Sequence, residues 1–206
     1  MSFNWKSWFR RSALDEEIRK FDPFAHAVTV IQEQHRLVHD GMFYLTSGKQ
    51  TGWLDAGVKR FLISTPAGAF PHIQQMNLNF ERGDIDFVAY EGATTSADGT
   101  ALDIENVNRN SSNTPNTDLF AEPTVTDVGT HIFTLWAPPT STGTGQSSNG
   151  IAGVGQGSEW LLAPSTKYLI VMTNNSGATI DWSYEFSWYE LAYPEDGTAI
   201  DQPSQT

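Results

Sequence analysis

The 206-residue chain contains no cysteine, which excludes disulfides, thiolate metal ligands and cysteine nucleophiles. Long apolar runs are also missing, since segments such as Tyr168 to Met172 are far shorter than the roughly 20 residues that cross a bilayer. The first residues do not predict a secretory signal, because Arg10 and Arg11 follow the aromatic side chains instead of preceding an apolar stretch. We therefore expect no membrane-spanning helix and no membrane partner.

Basic residues are scarce in the second half of the chain. The formal net charge is -12 at pH 7, and after Arg109 the only lysine or arginine is Lys167. Such an acidic surface repels phosphates, so we expect no nucleic-acid partner. Basic residues instead concentrate near the start of the chain, at Lys6, Arg10, Arg11, Arg19 and Lys20.

Motifs that carry chemistry are absent or incomplete. His35 and His39 are four residues apart but lack the glutamate of a zinc-binding helix motif, and the Asp40-Gly41 turn favours an extended segment that ends in a hairpin. Gly48-Lys49 lacks the first glycine and the Ser or Thr of a phosphate loop. No serine lies in a Gly-x-Ser-x-Gly elbow. We expect no catalytic residue, no metal site and no cofactor, with a calcium site in the turn around Asp98-Gly99 and Asp103 as an open alternative.

A strict alternation is the clearest pattern that is present. Five apolar side chains, four of them aromatic, alternate with four polar ones over residues 180–188, and they are Ile180, Trp182, Tyr184, Phe186 and Trp188. A period of two indicates a strand with one aromatic face, which we interpret as the inner face of a core. Two stacked antiparallel sheets are the arrangement that best buries such a face.

Short β-like runs separated by turn signals fill the chain from about Ala27 onward. Many short strands of this kind are typical of a sandwich or jelly roll. The sequence thus predicts an all-β, antiparallel, jelly-roll-like β-sandwich over residues 27–191, preceded by an arm with a short helix (1–26) and followed by a polar tail (192–206). The loop from Pro138 to Gly157 is too polar to hold a core of its own.

The arm combines bulky aromatic and basic side chains. Such side chains carry interface energy when they lose water, and so short a segment cannot bury them all. We therefore predict a contact with a partner or a neighbouring subunit; a membrane-surface anchor is the alternative. The predicted contact residues are Phe3, Trp5, Trp8, Phe9, Arg10 and Arg11.

Three tryptophans lie among loops and strand ends and are candidates for an exposed platform: Trp53, Trp136 and Trp160. Exposed aromatic rings stack on sugars, so a carbohydrate-binding module is a second hypothesis, with Trp136 and Trp160 as its platform.

The order of segments from about Leu37 to Glu190 resembles that of tailed-bacteriophage virion structural proteins similar to capsid decoration, or cement, proteins. The matching segments are 39–41 (HDG), 63–66 (ISTP), 90–94 (YEGAT), 106–111 (NVNRNS), 122–126 (EPTVT), 129–130 (GT), the glycine-rich loop, 159–164 (EWLLAP), 166–169 (TKYL), 173–177 (TNNSG) and 188–190 (WYE). The resemblance implies a jelly-roll-like domain, assembly as a homotrimer on the outside of an icosahedral head, contact with the major capsid protein and no enzyme activity. The expected location is the virion capsid surface, with the host cytoplasm as the site of assembly. A tail, neck or fibre component is the alternative position.

Overall fold

The computed structural model describes residues 33–139 and 159–192, together with the backbone of 21–22 and 27–28. The chain forms two compact units, Met1–Arg36 and Leu37–Thr206. In the first unit, strand β1 (Phe21–Asp22) pairs antiparallel with strand β2 (Ala27–Val28). Several predicted features lie outside the described residues: the arm contacts, the helix before Asp22, the loop 140–158 and the polar tail from residue 193.

The second unit is built from antiparallel strands. Over the described residues they are β3 (Phe43–Trp53), β4 (Val58–Ser64), β5 (Ala69–Phe80), β6 (Ile85–Glu91), β7 (Thr94–Ala97), β8 (Thr100–Ala101), β9 (Glu105–Asn106), β10 (Asp118–Ala121), β11 (Thr124–Asp127), β12 (Thr130–Ala137), β13 (Trp160–Leu161), β14 (Lys167–Asn174) and β15 (Ile180–Ala192).

The strand order is that of a jelly roll. One sheet has the order β12-β6-β14-β4-β10-β8 and the other β13-β5-β15-β3-β9. Without β8, β9 and β10, the four-stranded sheets β12-β6-β14-β4 and β13-β5-β15-β3 remain. Between consecutive strands of these two sheets, every connection crosses to the other sheet except the one from β6 to β12, which is the jelly-roll arrangement. Strands β7 and β11 form a separate two-stranded sheet. The predicted all-β, antiparallel, jelly-roll-like sandwich is therefore confirmed.

The aromatic face of β15 forms the centre of the core, as the alternation predicted. Trp182, Tyr184 and Phe186 are buried, and all three rings meet Phe61 of β4 edge-on, with centroid distances of 5.9, 4.8 and 5.1 Å. Because Phe61 belongs to the other sheet, these contacts join the two layers. Each such ring contributes about 1.5–3 kcal/mol through burial of its apolar surface.

Among the described residues, the outer face of the six-stranded sheet is covered at one end. There Leu62 and Leu169 are buried with Ala93, and Val125 of the small β7-β11 sheet packs against them. Towards the other end, Val58 and Trp136 remain exposed on their strands. Within the part of the chain that the structure describes, this uncovered half of the sheet faces the solvent.

The segment before β3 corrects the interpretation of His35 to His39 as extended. Residues Glu33–His39 form helix α1, and Leu37 is buried against Phe43 and Tyr189. Gly41, with φ of 68°, ends the helix; its N–H donates to Val38 O and the Met42 N–H donates to Leu37 O, which is the Schellman pattern. Asp40-Gly41 is compatible with a hairpin turn or a helix end, because a glycine with positive φ serves either structure. The buried contact of Leu37 decides for the helix.

Candidate functional sites

Several segments that carry the resemblance meet at loop contacts. The Nδ2 of Asn106 donates to Gly41 O at 2.9 Å, and the Nδ2 of Asn108 donates to His39 O at 2.9 Å. A Cβ on Gly41 would lie 2.2 Å from Ser111 Oγ, so the two loops touch where only glycine fits. These asparagines hold loop 106–113 against the end of α1.

A buried carboxylate fixes the following loop to the centre of the sandwich. Glu190 is 2% exposed. Its Oε1 accepts hydrogen bonds from Thr117 N at 2.9 Å and Trp188 Nε1 at 3.1 Å, and its Oε2 accepts two from Asn116, the shorter at 2.8 Å. Burial, with the nearby charge of Glu190, raises the pKa of Tyr44. The sequence analysis does not predict this role of Glu190. The alternation offers a clue to it, because Glu190 continues the set of inward-facing positions from Trp182 to Trp188 and a carboxylate at such a position needs buried partners.

A second anchor joins the β4-β5 turn to the β13-β14 turn. Thr65 Oγ1 donates to Ala163 O at 2.7 Å and accepts from Thr166 N at 2.9 Å. Tyr168 Oη accepts from Ala163 N at 2.9 Å and donates to Glu91 Oε1 at 2.8 Å. The segments around residues 65, 91, 163 and 168 therefore form one hydrogen-bonded unit.

A buried amide forms a third anchor at the opposite turns. The Nδ2 of Asn174 donates to Trp53 O at 3.0 Å and to Ala178 O at 2.9 Å, and its Oδ1 accepts from Ser176 N at 3.0 Å. The turn at 174–177 is thereby tied to the end of β3. These anchors give the scattered turn segments a structural role in positioning loops.

At the candidate calcium site around Asp98, the ammonium group of Lys167 binds the carboxylate. Asp98 Oδ1 accepts from Lys167 Nζ and from Thr95 Oγ1. The hydrogen bond from Lys167 lowers the pKa of Asp98, with a smaller contribution from Thr95. In the described part of the chain, no group of three or more His, Asp or Glu side chains has a geometry that could hold a metal ion.

A second polar cluster lies on the outer face of the five-stranded sheet. His72 Nδ1 lies 3.2 Å from Glu159 Oε1, Tyr189 Oη donates to Glu159 Oε2 at 3.0 Å, and the His72 and Tyr189 rings stack with centroids 4.4 Å apart. Burial raises the pKa of Glu159, but the hydrogen bonds from Tyr189 and His72 outweigh it, so the net pKa is lowered. A carboxylate held ionised in this way anchors the start of β13.

The three candidate tryptophans have different environments. Trp136 is 55% exposed on the outer face of β12. Trp160 is half-buried, and its ring meets Phe133 of the core edge-on at 5.0 Å. The expectation that Trp53 is exposed is wrong: it is 3% exposed and its ring lies 5.3 Å from Trp182. Trp136 and Trp160 therefore do not form one continuous platform.

Exposed apolar side chains lie on the strands at one edge of the sandwich. Strands β12 and β13 are edge strands of their two sheets, and Ile132 and Leu161 on them are 41% and 59% exposed. Between them lies a pocket of about 330 Å³ that Glu91, Trp160 and Tyr168 also line. Strand β12 contains no Asp, Glu, Lys or Arg, although natural edge strands commonly carry charges that prevent pairing with other chains.

Comparison of the chain with protein-family models, with curated proteins and with solved structures finds no match. None of the helices among the described residues has the length and hydropathy of a membrane span.

Proposed function

We propose that this protein is a structural component of a tailed-bacteriophage virion, a capsid decoration protein that binds the outside of the major capsid protein shell and stabilises it. It acts by binding, without a cofactor and without catalysing a reaction. Its place is the capsid surface, reached from the host cytoplasm during assembly. The observation that carries the proposal is that segments of the resemblance, spread from residue 39 to residue 190, anchor the loops of a single jelly roll. The segments that share this order are therefore parts of one hydrogen-bonded β-sandwich.

The arm is the proposed docking element for the major capsid protein. Aromatic and arginine side chains contribute most to binding when a partner desolvates them. The proposed contacts are Phe3, Trp5, Trp8, Phe9, Arg10 and Arg11. Many copies on a repeating lattice would bind through avidity, even if each contact is modest. The acidic remainder of the chain would face outward and keep particles apart.

The test is occupancy of purified, undecorated capsid shells by the full chain. Deletion of residues 1–11 should reduce occupancy at least tenfold. Deletion of residues 196–206, which removes the same number of residues from the other terminus, should leave occupancy unchanged. Equal occupancy of the two variants would exclude the arm as the docking element.

The position on the particle is tested separately by electron microscopy of virions carrying the labelled protein. Label on the capsid faces supports a decoration role. Label confined to the tail, neck or fibres would reject decoration, and the absence of the protein from purified virions would reject the whole virion proposal.

We also propose that the protein assembles as a homotrimer through the edge formed by β12 and β13. The support is the uncharged edge strand β12 together with the exposed Ile132 and Leu161 beside it. An exposed apolar edge strand favours pairing with another chain, and a closed ring of identical copies satisfies every such edge without forming fibres.

Light scattering at micromolar concentration tests the trimer. The wild-type chain should have three times the mass of one chain, and Ile132→Lys should shift it to the monomer because a charge would enter the interface. Leu54→Lys is the matched control, since Leu54 is 66% exposed on a loop away from this edge. A monomeric wild-type protein would reject the trimer, and a trimeric Ile132→Lys variant would reject this interface.

A further inference from the structure

Trp136 begins a row of side chains on the uncovered half of the six-stranded sheet. Trp136 is the cross-strand partner of Asp86, Asp86 is that of Thr173, and Thr173 is that of Val58, so the row crosses β12, β6, β14 and β4. With neighbouring strands about 4.8 Å apart, the row is about 14 Å long. It presents an aromatic ring, a carboxylate, a hydroxyl and an aliphatic side chain on one face of the sheet.

The indole of Trp136 is fixed although it is exposed. Its Nε1 donates to Asp84 Oδ1 at 3.0 Å. The backbone of Asp84 is held in turn, because its N–H donates to Ala137 O at 2.7 Å and its carbonyl accepts from Asn175 N at 2.8 Å. An exposed aromatic ring that is already oriented loses little conformational freedom when a ligand stacks on it.

The backbone around this contact is strained and tightly packed. Asp84 has φ of 75°, in the left-handed region that side chains rarely adopt. A Cβ on the preceding Gly83 would lie 1.9 Å from Pro138 O, so this turn is pressed against the end of β12. Strain of this kind persists where the surrounding structure imposes it, and it is common at binding sites.

A hydrogen bond also fixes a polar side chain beside the Trp136 ring. The Asn175 Nδ2 donates to Asp86 Oδ2 at 2.8 Å, which fixes that carboxylate. Within the described part of the chain, Asp86 Oδ1 and the Thr173 hydroxyl receive no other side-chain hydrogen bond. Both are therefore available to hydroxyl groups of a ligand that lies along the row.

We propose that this row, from Trp136 to Val58, is a binding site for neutral pyranose sugars of a glycan. A pyranose ring has a C–H face that packs on an indole and hydroxyl groups at its rim that donate to a carboxylate. The carboxylates of Asp84 and Asp86, on a chain of net charge -12, disfavour anionic sugars. The site does not depend on the virion proposal or on its arm, but it shares strand β12 with the proposed trimer edge, and the mass measurement below separates the two.

The test uses saturation-transfer NMR and calorimetric titration of the full chain with three neutral probes: lactose, cellotetraose and chitotetraose. At least one should bind in the millimolar range, and 3′-sialyllactose should bind more weakly than lactose if lactose is the ligand. Trp136→Ala should weaken binding at least tenfold, and Trp136→Phe should weaken it less because a smaller aromatic face remains. Val128→Ala, which removes a 43% exposed apolar side chain from the turn before β12, at the end away from Trp136, should leave binding unchanged.

Thermal unfolding and light scattering of each variant complete the test. Trp136→Ala should keep the wild-type melting temperature and the wild-type mass. The proposal is overturned if none of the three probes binds, if Trp136→Ala binds as the wild type does, or if Trp136→Ala changes the mass in solution, since Trp136 would then be a subunit contact.

Discussion

Strands β15 and β12 both carry several large apolar side chains, including tryptophan, but they occupy different positions in their sheets. Strand β15 pairs with β5 on one side and β3 on the other, whereas β12 pairs with β6 alone among the described strands. Trp188 on β15 is completely buried, while Trp136 on β12 is 55% exposed. Alternation along a strand thus separates its two faces, but the position of the strand in the sheet and the layer above it decide whether a face is buried.

The largest expected effect comes from substituting one tryptophan on each strand. Trp188→Ala should lower the free energy of unfolding by about 3–5 kcal/mol, because it removes a large buried ring and leaves a cavity between the sheets. Trp136→Ala should change it by less than about 1 kcal/mol, since the ring is exposed and its loss frees only the Asp84 carboxylate. Urea denaturation of the two variants measures the difference. Equal losses would contradict the assignment of Trp188 to the core and Trp136 to the surface.

Much of the fold follows from local pattern, and the sheet order does not. The alternation from Ile180 to Trp188 is a property of nine adjacent residues, so sequence predicts both the strand and its buried face. Trp53 lies beside a turn in the sequence, and only the pairing of β3 with β15 brings it against Trp182. A residue near a loop is therefore not exposed by that fact alone.

The proposed sugar site likewise could not be predicted from local sequence alone. The sequence indicates Trp136 as a candidate platform, but it does not connect Asp84, Asp86 and Asn175 to that tryptophan. Their grouping depends on the register of β12 with β6 and of β6 with β14, which long-range pairing determines. The arm contacts, by contrast, rest on composition alone.

A smaller effect is expected from Glu190, the polar residue on the inward face of β15. Glu190→Ala should lower the free energy of unfolding by about 3 kcal/mol, because the buried N–H groups of Thr117, Asn116 and Trp188 lose their acceptor. Glu185→Ala, on the outward face of the same strand, should change it by less than about 0.5 kcal/mol. The measurement is again urea denaturation. If Glu185→Ala cost as much as Glu190→Ala, the inward position of Glu190 would not be the cause.

The smallest effect concerns Tyr168, whose ring lies in the core on β14 while its hydroxyl reaches the pocket beside β12. The pKa of Tyr168 is raised from 10.0 to about 12. Burial is the largest cause, and the hydrogen bond to Glu91 and its charge also raise the pKa, whereas the hydrogen bond from the Ala163 N–H lowers it. A raised pKa means that the unfolded chain loses this proton first. The stabilisation is therefore fully present below pH 10 and is lost as the pH rises towards 12, at about 1.4 kcal/mol per pH unit.

Tyr168→Phe should remove this pH dependence, because the side chain no longer ionises in either state. Between pH 10 and pH 12 the wild type should lose about 2 kcal/mol more of its free energy of unfolding than Tyr168→Phe does. Glu91→Gln, which keeps a hydrogen-bond acceptor but removes the charge, should give an intermediate slope. Urea titrations at pH 8, 10, 11 and 12 provide the comparison, with pH 8 as the internal control. If the free energy of unfolding falls with pH in parallel for the wild type and Tyr168→Phe, the Tyr168 hydroxyl is open to water at the β12 edge. The core would then extend less far towards that edge than the packing of Tyr168 indicates.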